Sequence, residues 1–249
     1  PKPGRVYVEY EHGGKTKSYP TFLKGRGGKK RGEMQVIHLD GFKGVRTNIR
    51  SHADPFEIYD LKTDIGERNN LANSSGKFRE LERRMRDQVL RLRIPNDSAR
   101  RPYDPEFIPG YQSVDELDKP FDRQVQGQFE YVPNLSVGSM KGDHAHDASP
   151  LVLKKEQTTF AGKFKCETSG AVMMSRGVQV VESGRYLISL QTKAKAFVRL
   201  HEAGIIDADF KKDRGVSTEI ELNLGDGYHP LSITGLTGER NEFAVQLNF

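Results

Sequence analysis

In the C-terminal half of the chain, apolar residues fall at every second position in one short run after another, and this alternation constrains the fold more than any other sequence feature. It marks Tyr186, Ile188 and Leu190, then Ala196, Val198 and Leu200, then Ile220, Leu222 and Leu224, then Leu231 and Ile233, and finally Phe243, Val245, Leu247 and Phe249. Side chains of a strand point alternately to its two faces, so each run reads as a half-buried strand. Ser183-Gly184, Gly204, Asp226-Gly227, Gly235 and Gly238 punctuate the runs as turns. Short strands with no helical pattern between them predict an all-β sandwich over residues 127–249.

The N-terminal part has a different texture. Val6 to Glu11 is rich in β-branched and aromatic residues and predicts a strand. Gln35 to His38, the Asp40-Gly41 pair and Phe42 to Thr47 predict a hairpin, and Phe56 to Leu61 a further strand. Phe78, Leu81, Met85, Val89 and Leu92 then recur at three- and four-residue steps, the mark of one amphipathic helix. Ser74 or Ser75 is expected to accept from its free first-turn amides, Glu80–Arg84 and Glu82–Arg86 to pair on its outer face, and Pro95 to stop it. Pro102, Pro105, Pro109 and Pro120 scatter through residues 96–126, a linker or wrapping segment whose Phe107, Ile108, Tyr111 and Phe121 suit a surface. The expected fold class is therefore α+β. A small antiparallel sheet packed by one helix (1–95) is followed by a Pro-rich linker (96–126) and a β-sandwich (127–249).

No stretch approaches the roughly 18 uncharged apolar residues that span a bilayer, and no apolar signal-peptide run opens the chain. The single cysteine, Cys166, excludes an internal disulfide and a Cys-built zinc site, and its alternating neighbours predict a buried small hydrophobe in a strand. The net charge of +5 is concentrated near the N-terminus, in Lys15, Lys17, Lys24, Arg26, Lys29, Lys30 and Arg31, interleaved with glycines. No aromatic ladder, zinc-finger spacing or RNA-binding signature accompanies these cations, so nucleic acid is not the expected partner. A solvated loop and a contact for an anionic saccharide both fit. An imidazole beside such a loop is suited to donate to a sulfate or sugar oxygen, or to serve as a hydrogen-bonded surface group. The candidate contacts are thus His12, Lys15, Lys17, Lys29, Lys30, Arg31 and His38. Asp143-His144-Ala145-His146-Asp147 is the most metal-like string, but it lacks a third assigned ligand and reads as a polar surface loop. His229 before Pro230 is expected to order a turn, and His52 and His201 carry no recognisable chemistry.

The string from Gln35 to Asn48, followed by Phe56-Glu57-Ile58-Tyr59-Asp60-Leu61 and on through Asp64, Glu67, Asn70, Leu71 and Ala72, resembles the C-terminal subdomain of the type I, arylsulfatase-like sulfatases. The resemblance covers about residues 5 to 95, with His38, Phe42 and Ile65 standing where the family usually has Arg, Trp and Pro. It implies an N-terminal sulfatase catalytic domain as partner, a sulfated substrate, and a periplasmic or extracellular setting; a stand-alone binding module for anionic or sulfated polysaccharide and a structural or oligomerising appendage are the alternative readings of the chain. It also implies a formylglycine made from a Cys or Ser followed by Pro and Arg, and a calcium ion. Cys166-Glu167-Thr168-Ser169-Gly170 lacks that Pro and Arg, so both groups are expected in a catalytic core outside this chain, which is expected to be inert alone. Residues 127–249 resemble, more weakly, the protective-antigen type of carbohydrate-associated β-sandwich. Lys193-Ala194-Lys195 stands where sugar-binding members of that family carry a calcium-holding Asp pair, so calcium-dependent sugar binding is not expected there.

Overall fold

A computed structural model of the chain describes residues 6–20, 27–113, 116, 147–153, 159–165, 171–209, 218–236 and 242–249. The chain forms two compact units, Pro1–Glu106 and Phe107–Phe249. In the first, β1 (Val6–Lys15), β2 (Lys30–Leu39), β3 (Phe42–Thr47) and β4 (Glu57–Asp60) form an antiparallel sheet in chain order, followed by α1 (Gly76–Leu92). Asp40 and Gly41 join β2 to β3 with φ of 51° and 84°, the left-handed pair that matches strand twist in a two-residue hairpin. Ile37, Leu39, Phe56 and Ile58 of the sheet side pack with Leu81, Met85 and Val89 of the helix. Gly44 makes the close approach possible, because a Cβ there would lie 2.6 Å from the Met85 sulfur and 3.0 Å from Ile37 Cγ2.

The helix ends one turn before Pro95, but its start differs from expectation. Ser75 is the N-cap residue and makes no side-chain cap bond, while the Ser74 hydroxyl donates back to the Leu71 carbonyl at 2.8 Å. On the outer face Arg86 pairs with Glu82, whereas Glu80 takes Arg83 and leaves Arg84 to reach Asp40. Between β4 and α1, Asp64 accepts from the amides of Arg68 and Asn69, and Asn70 Oδ1 accepts from those of Ile58 and Ala72. The positive φ of this turn falls on Glu67, at 52°, and not on Gly66; an ion pair from Lys43 holds the Glu67 side chain.

In the second unit, β5 (Asp147–Leu153), β7 (Ala171–Val180), β9 (Ala196–Leu200), β10 (Ala203–Ala208) and β12 (Gly227–Leu236) form one sheet. A second sheet contains β6 (Thr159–Lys165), β8 (Gly184–Gln191), β11 (Glu219–Leu224) and β13 (Glu242–Asn248). Among the described strand–strand pairs only β5 with β7 is parallel; an isolated parallel bridge joins Ile108 to Leu224. Gly204 and Gly235 lie within β10 and β12, not in turns. The expected class is corrected: the fold is predominantly β, with one α-helix and several sheets among the described residues, and not an α+β fold. The physical reason is that only one segment carries the 3.6-residue period.

The Pro-rich stretch is shared between the units. Residues up to Glu106 belong to the first; in the second, Ile108 bridges Leu224 and Tyr111 bridges Tyr228. Cys166 and residues 143–146 lie outside the described residues. Among those described, no helix is long and apolar enough to cross a membrane.

Candidate functional site

Strand register sorts the first sheet into two faces. Directly opposed residues share a face, so Glu9, Gln35 and Arg46 form one row, and Tyr7, Ile37, Gly44 and Ile58 the next on the same side. The other face carries Val8 with Val36 and Val45, and Val6 with His38 and Lys43.

Register also gathers the cations. Lys15 pairs with Lys30, Thr16 N donates to Lys29 O at 2.8 Å, and Gly28 N donates to Thr16 O at 2.8 Å. The segment expected to be a flexible loop is therefore in part a two-stranded ribbon, with Lys15, Lys17, Lys29 and Lys30 exposed at its end and Arg31 half-buried. None of the five makes an ion pair with a described carboxylate. Lys24 and Arg26 lie outside the described residues. His12 stands at the bulge where the ribbon begins, its Nδ1 accepting from Gly14 N at 2.8 Å, which leaves Nε2 as the hydrogen-bearing nitrogen of the neutral ring. His38 does not join them. It lies opposite Val6 and Lys43, six residues along β2 from the partner of His12, roughly 20 Å away at strand rise.

Sequence reasoning missed the densest polar cluster, which covers the Glu9 row. Glu9 Oε2 accepts from Tyr7 Oη at 2.8 Å and Arg93 Nε at 3.1 Å, and the single Tyr103 hydroxyl proton is shared between Glu33 Oε1 at 2.8 Å and Glu9 Oε2 at 2.9 Å. Arg93 also holds Asp104 at 2.5 Å, and Arg101 holds Glu33 at 2.5 Å. Arg46, 3% exposed, donates to Gln35 and to the carbonyls of His52 and Asp54, with its guanidinium 4.4 Å from the Phe56 ring centre. Burial pushes the Tyr7 and Tyr103 hydroxyls upward, aided by Glu9 at Tyr7 and by Glu33 and then Glu9 at Tyr103, so both stay protonated and donate. Burial also works to raise the Glu9 carboxyl, but the donors around it outweigh this and hold it below its ordinary value. Two guanidinium groups, Arg93 and Arg101, pair with the buried or half-buried carboxylates Glu9, Asp104 and Glu33, and this network ties residues 93–104 to the sheet, while Arg46 is held by an amide and two backbone carbonyls. Strand alternation in Tyr7-Val8-Glu9-Tyr10-Glu11 was the only sequence trace of it.

Burial, then Arg46 and Arg86, lowers His52 to about 4. The unfolded chain, with an imidazole near the ordinary value of about 6.5, binds the proton first on acidification. Stability from this group is complete above that value and is lost as pH falls toward 4. Discounted for partial exposure, the loss is on the order of 1–2 kcal/mol. Urea denaturation of His52→Asn is expected to show a flatter decline over that window than the parent; an identical slope would remove His52 as the cause.

A second cluster without sequence warning lies in the second unit. His229 Nε2 donates to Gly225 O at 2.8 Å, so His229 Nδ1 accepts from His201 Nε2, also at 2.8 Å. Both rings are buried, and His201 sits at φ 53° in the β9–β10 turn. His229 lies inside β12 and not in a turn. Pairing of Leu200 with Leu231 brings the two histidines together across 28 residues of chain.

Among the described residues, no group of three His, Cys, Asp or Glu side chains is placed to hold a metal ion. No family model, curated protein or solved structure matches the chain.

Proposed function

We propose that the chain is the C-terminal, non-catalytic portion of a sulfatase, supplying scaffold and an anion contact for a sulfated saccharide or related sulfate ester. The observation that carries this is the convergence of Lys15, Lys17, Lys29 and Lys30 on one ribbon end, where none of them makes an ion pair with a described carboxylate. Uncompensated ammonium groups on a projecting ribbon attract a polyanion at long range and release it as salt screens them. His12, with Nε2 as donor, and Arg31 complete the contact. His38 lies apart and serves the sheet face instead. The sheet backed by α1 supports the family resemblance, since the Phe56 to Ala72 string supplies its strand β4 and the turn that leads from it to the helix. Formylglycine and calcium belong, on this reading, to a periplasmic or extracellular catalytic core.

In the second unit, we read the two sheets as a sandwich. Ile188 and Leu190 of one sheet and Val198, Leu200, Leu231 and Ile233 of the other are all buried, as inner faces require.

Calorimetric titration with a sulfated oligosaccharide tests the contact. Binding is expected to weaken on the order of tenfold or more as salt rises from low to physiological concentration. The combined Lys15→Ala, Lys17→Ala, Lys29→Ala and Lys30→Ala variant is expected to abolish it. Salt-independent binding, or binding kept by that variant, would reject the ribbon as the site. Turnover of a chromogenic aryl sulfate by the purified chain would contradict the non-catalytic assignment.

A further inference from the structure

We infer that the outer edge of β1 is a self-association surface, on which a second copy of this chain adds antiparallel about a twofold axis. The inference does not depend on the sulfatase reading. β1 is the outermost strand of its sheet, and among the described residues it pairs only with β2. Exposed edges are normally blunted by charge, proline or a bulge. Here the bulge comes only between His12 and Lys15, which leaves a regular stretch from Val6 to His12. On that stretch Val6, Val8 and Tyr10 are 44%, 51% and 51% exposed.

Symmetry and charge together select one register. A twofold axis normal to the sheet keeps each face on its own side, so opposed residues must both be even-numbered or both odd-numbered. Centring on Glu9 sets two carboxylates against each other, and centring on Tyr10 opposes Glu9 with Glu11 of the second copy. Centring on Tyr7 shortens the paired stretch. Centring on Val8 avoids all three faults. Val8 meets its own copy, Val6 meets Tyr10, and the Tyr7 row meets the Glu9 row, so apolar pairs align and no like charges are opposed. The cationic ribbon ends then point in opposite directions, roughly 45 Å apart at strand rise and well beyond the screening length. The sheet becomes eight-stranded and loses its exposed edge.

Sedimentation velocity of the full chain up to about 100 µM, in a Cys166→Ser background, is expected to show a dimer. Val8→Lys places two ammonium groups face to face and is expected to give a monomer whose melting temperature matches that of the parent at concentrations where the parent is also monomeric. As a second readout that needs no loss of association, Val8→Cys is expected to form an interchain disulfide on oxidation, whereas Glu11→Cys is not. Val6→Cys and Tyr10→Cys proteins are expected to cross-link to each other when mixed. A monomer throughout that range, a dimer that survives Val8→Lys, or cross-linking through Glu11→Cys without Val8→Cys would each overturn the assignment. Because the sulfated-saccharide titration reads the ribbon end and not the strand edge, failure of one experiment leaves the other standing.

Discussion

Arg93→Ala is expected to destabilise the first unit by about 3–5 kcal/mol, because truncating one member of a buried ion cluster leaves the others charged and unpaired. Arg93 is 7% exposed and binds Glu9 at 3.1 Å and Asp104 at 2.5 Å, with its guanidinium 4.7 Å from the Tyr103 ring centre. Without it, two carboxylates lose their cation in a setting where burial already works against the Glu9 charge. The expected signature in urea unfolding is a large drop in midpoint, accompanied by proteolytic opening of residues 96–106. Arg93→Lys restores charge but not the two-armed geometry and is expected to recover only part of the loss. A loss under 1 kcal/mol would place the energy of the segment in its apolar contacts instead.

Met85→Ala is expected to cost about 2–5 kcal/mol, the range for deleting a buried side chain and leaving a void. Met85 is fully buried and sits directly over Gly44. Gly44→Ala alone is expected to cost about 1–3 kcal/mol by overpacking, because its new methyl meets the Met85 sulfur. The two changes are expected to be strongly non-additive. With the sulfur gone, the Gly44→Ala methyl enters the space that Met85 vacates, so the double variant is expected to be more stable than the sum of the two losses. Additive losses in a double-mutant cycle would mean that the helix shifts rather than holding its position over β3.

The two clusters that lie outside sequence reasoning share one property: each joins residues far apart in the chain. Tyr103 and Glu9 are separated by 94 positions, and His201 and His229 by 28. Neither periodicity nor a local motif encodes such a meeting. The strand reading of Val6 to Glu11 captured the element but not the partner of each face. The Lys-rich segment was legible as cationic, yet its ordering into a ribbon depends on the pairing of Lys15 with Lys30. The same register separates His38 from His12, which the sequence placed in one candidate set.

Local chemistry alone determined the elements: the Asp40-Gly41 hairpin, the single helix with its apolar stripe, and the alternating strands of the C-terminal half. These follow from short-range sterics and from the 2.0- and 3.6-residue periods, both written in neighbouring residues. Tertiary structure decided which strand lies at an edge, which carboxylate faces which guanidinium, and which cations converge. Those outcomes are set by strand register and by burial against distant segments, because the field and packing at a side chain come from whatever the fold places beside it.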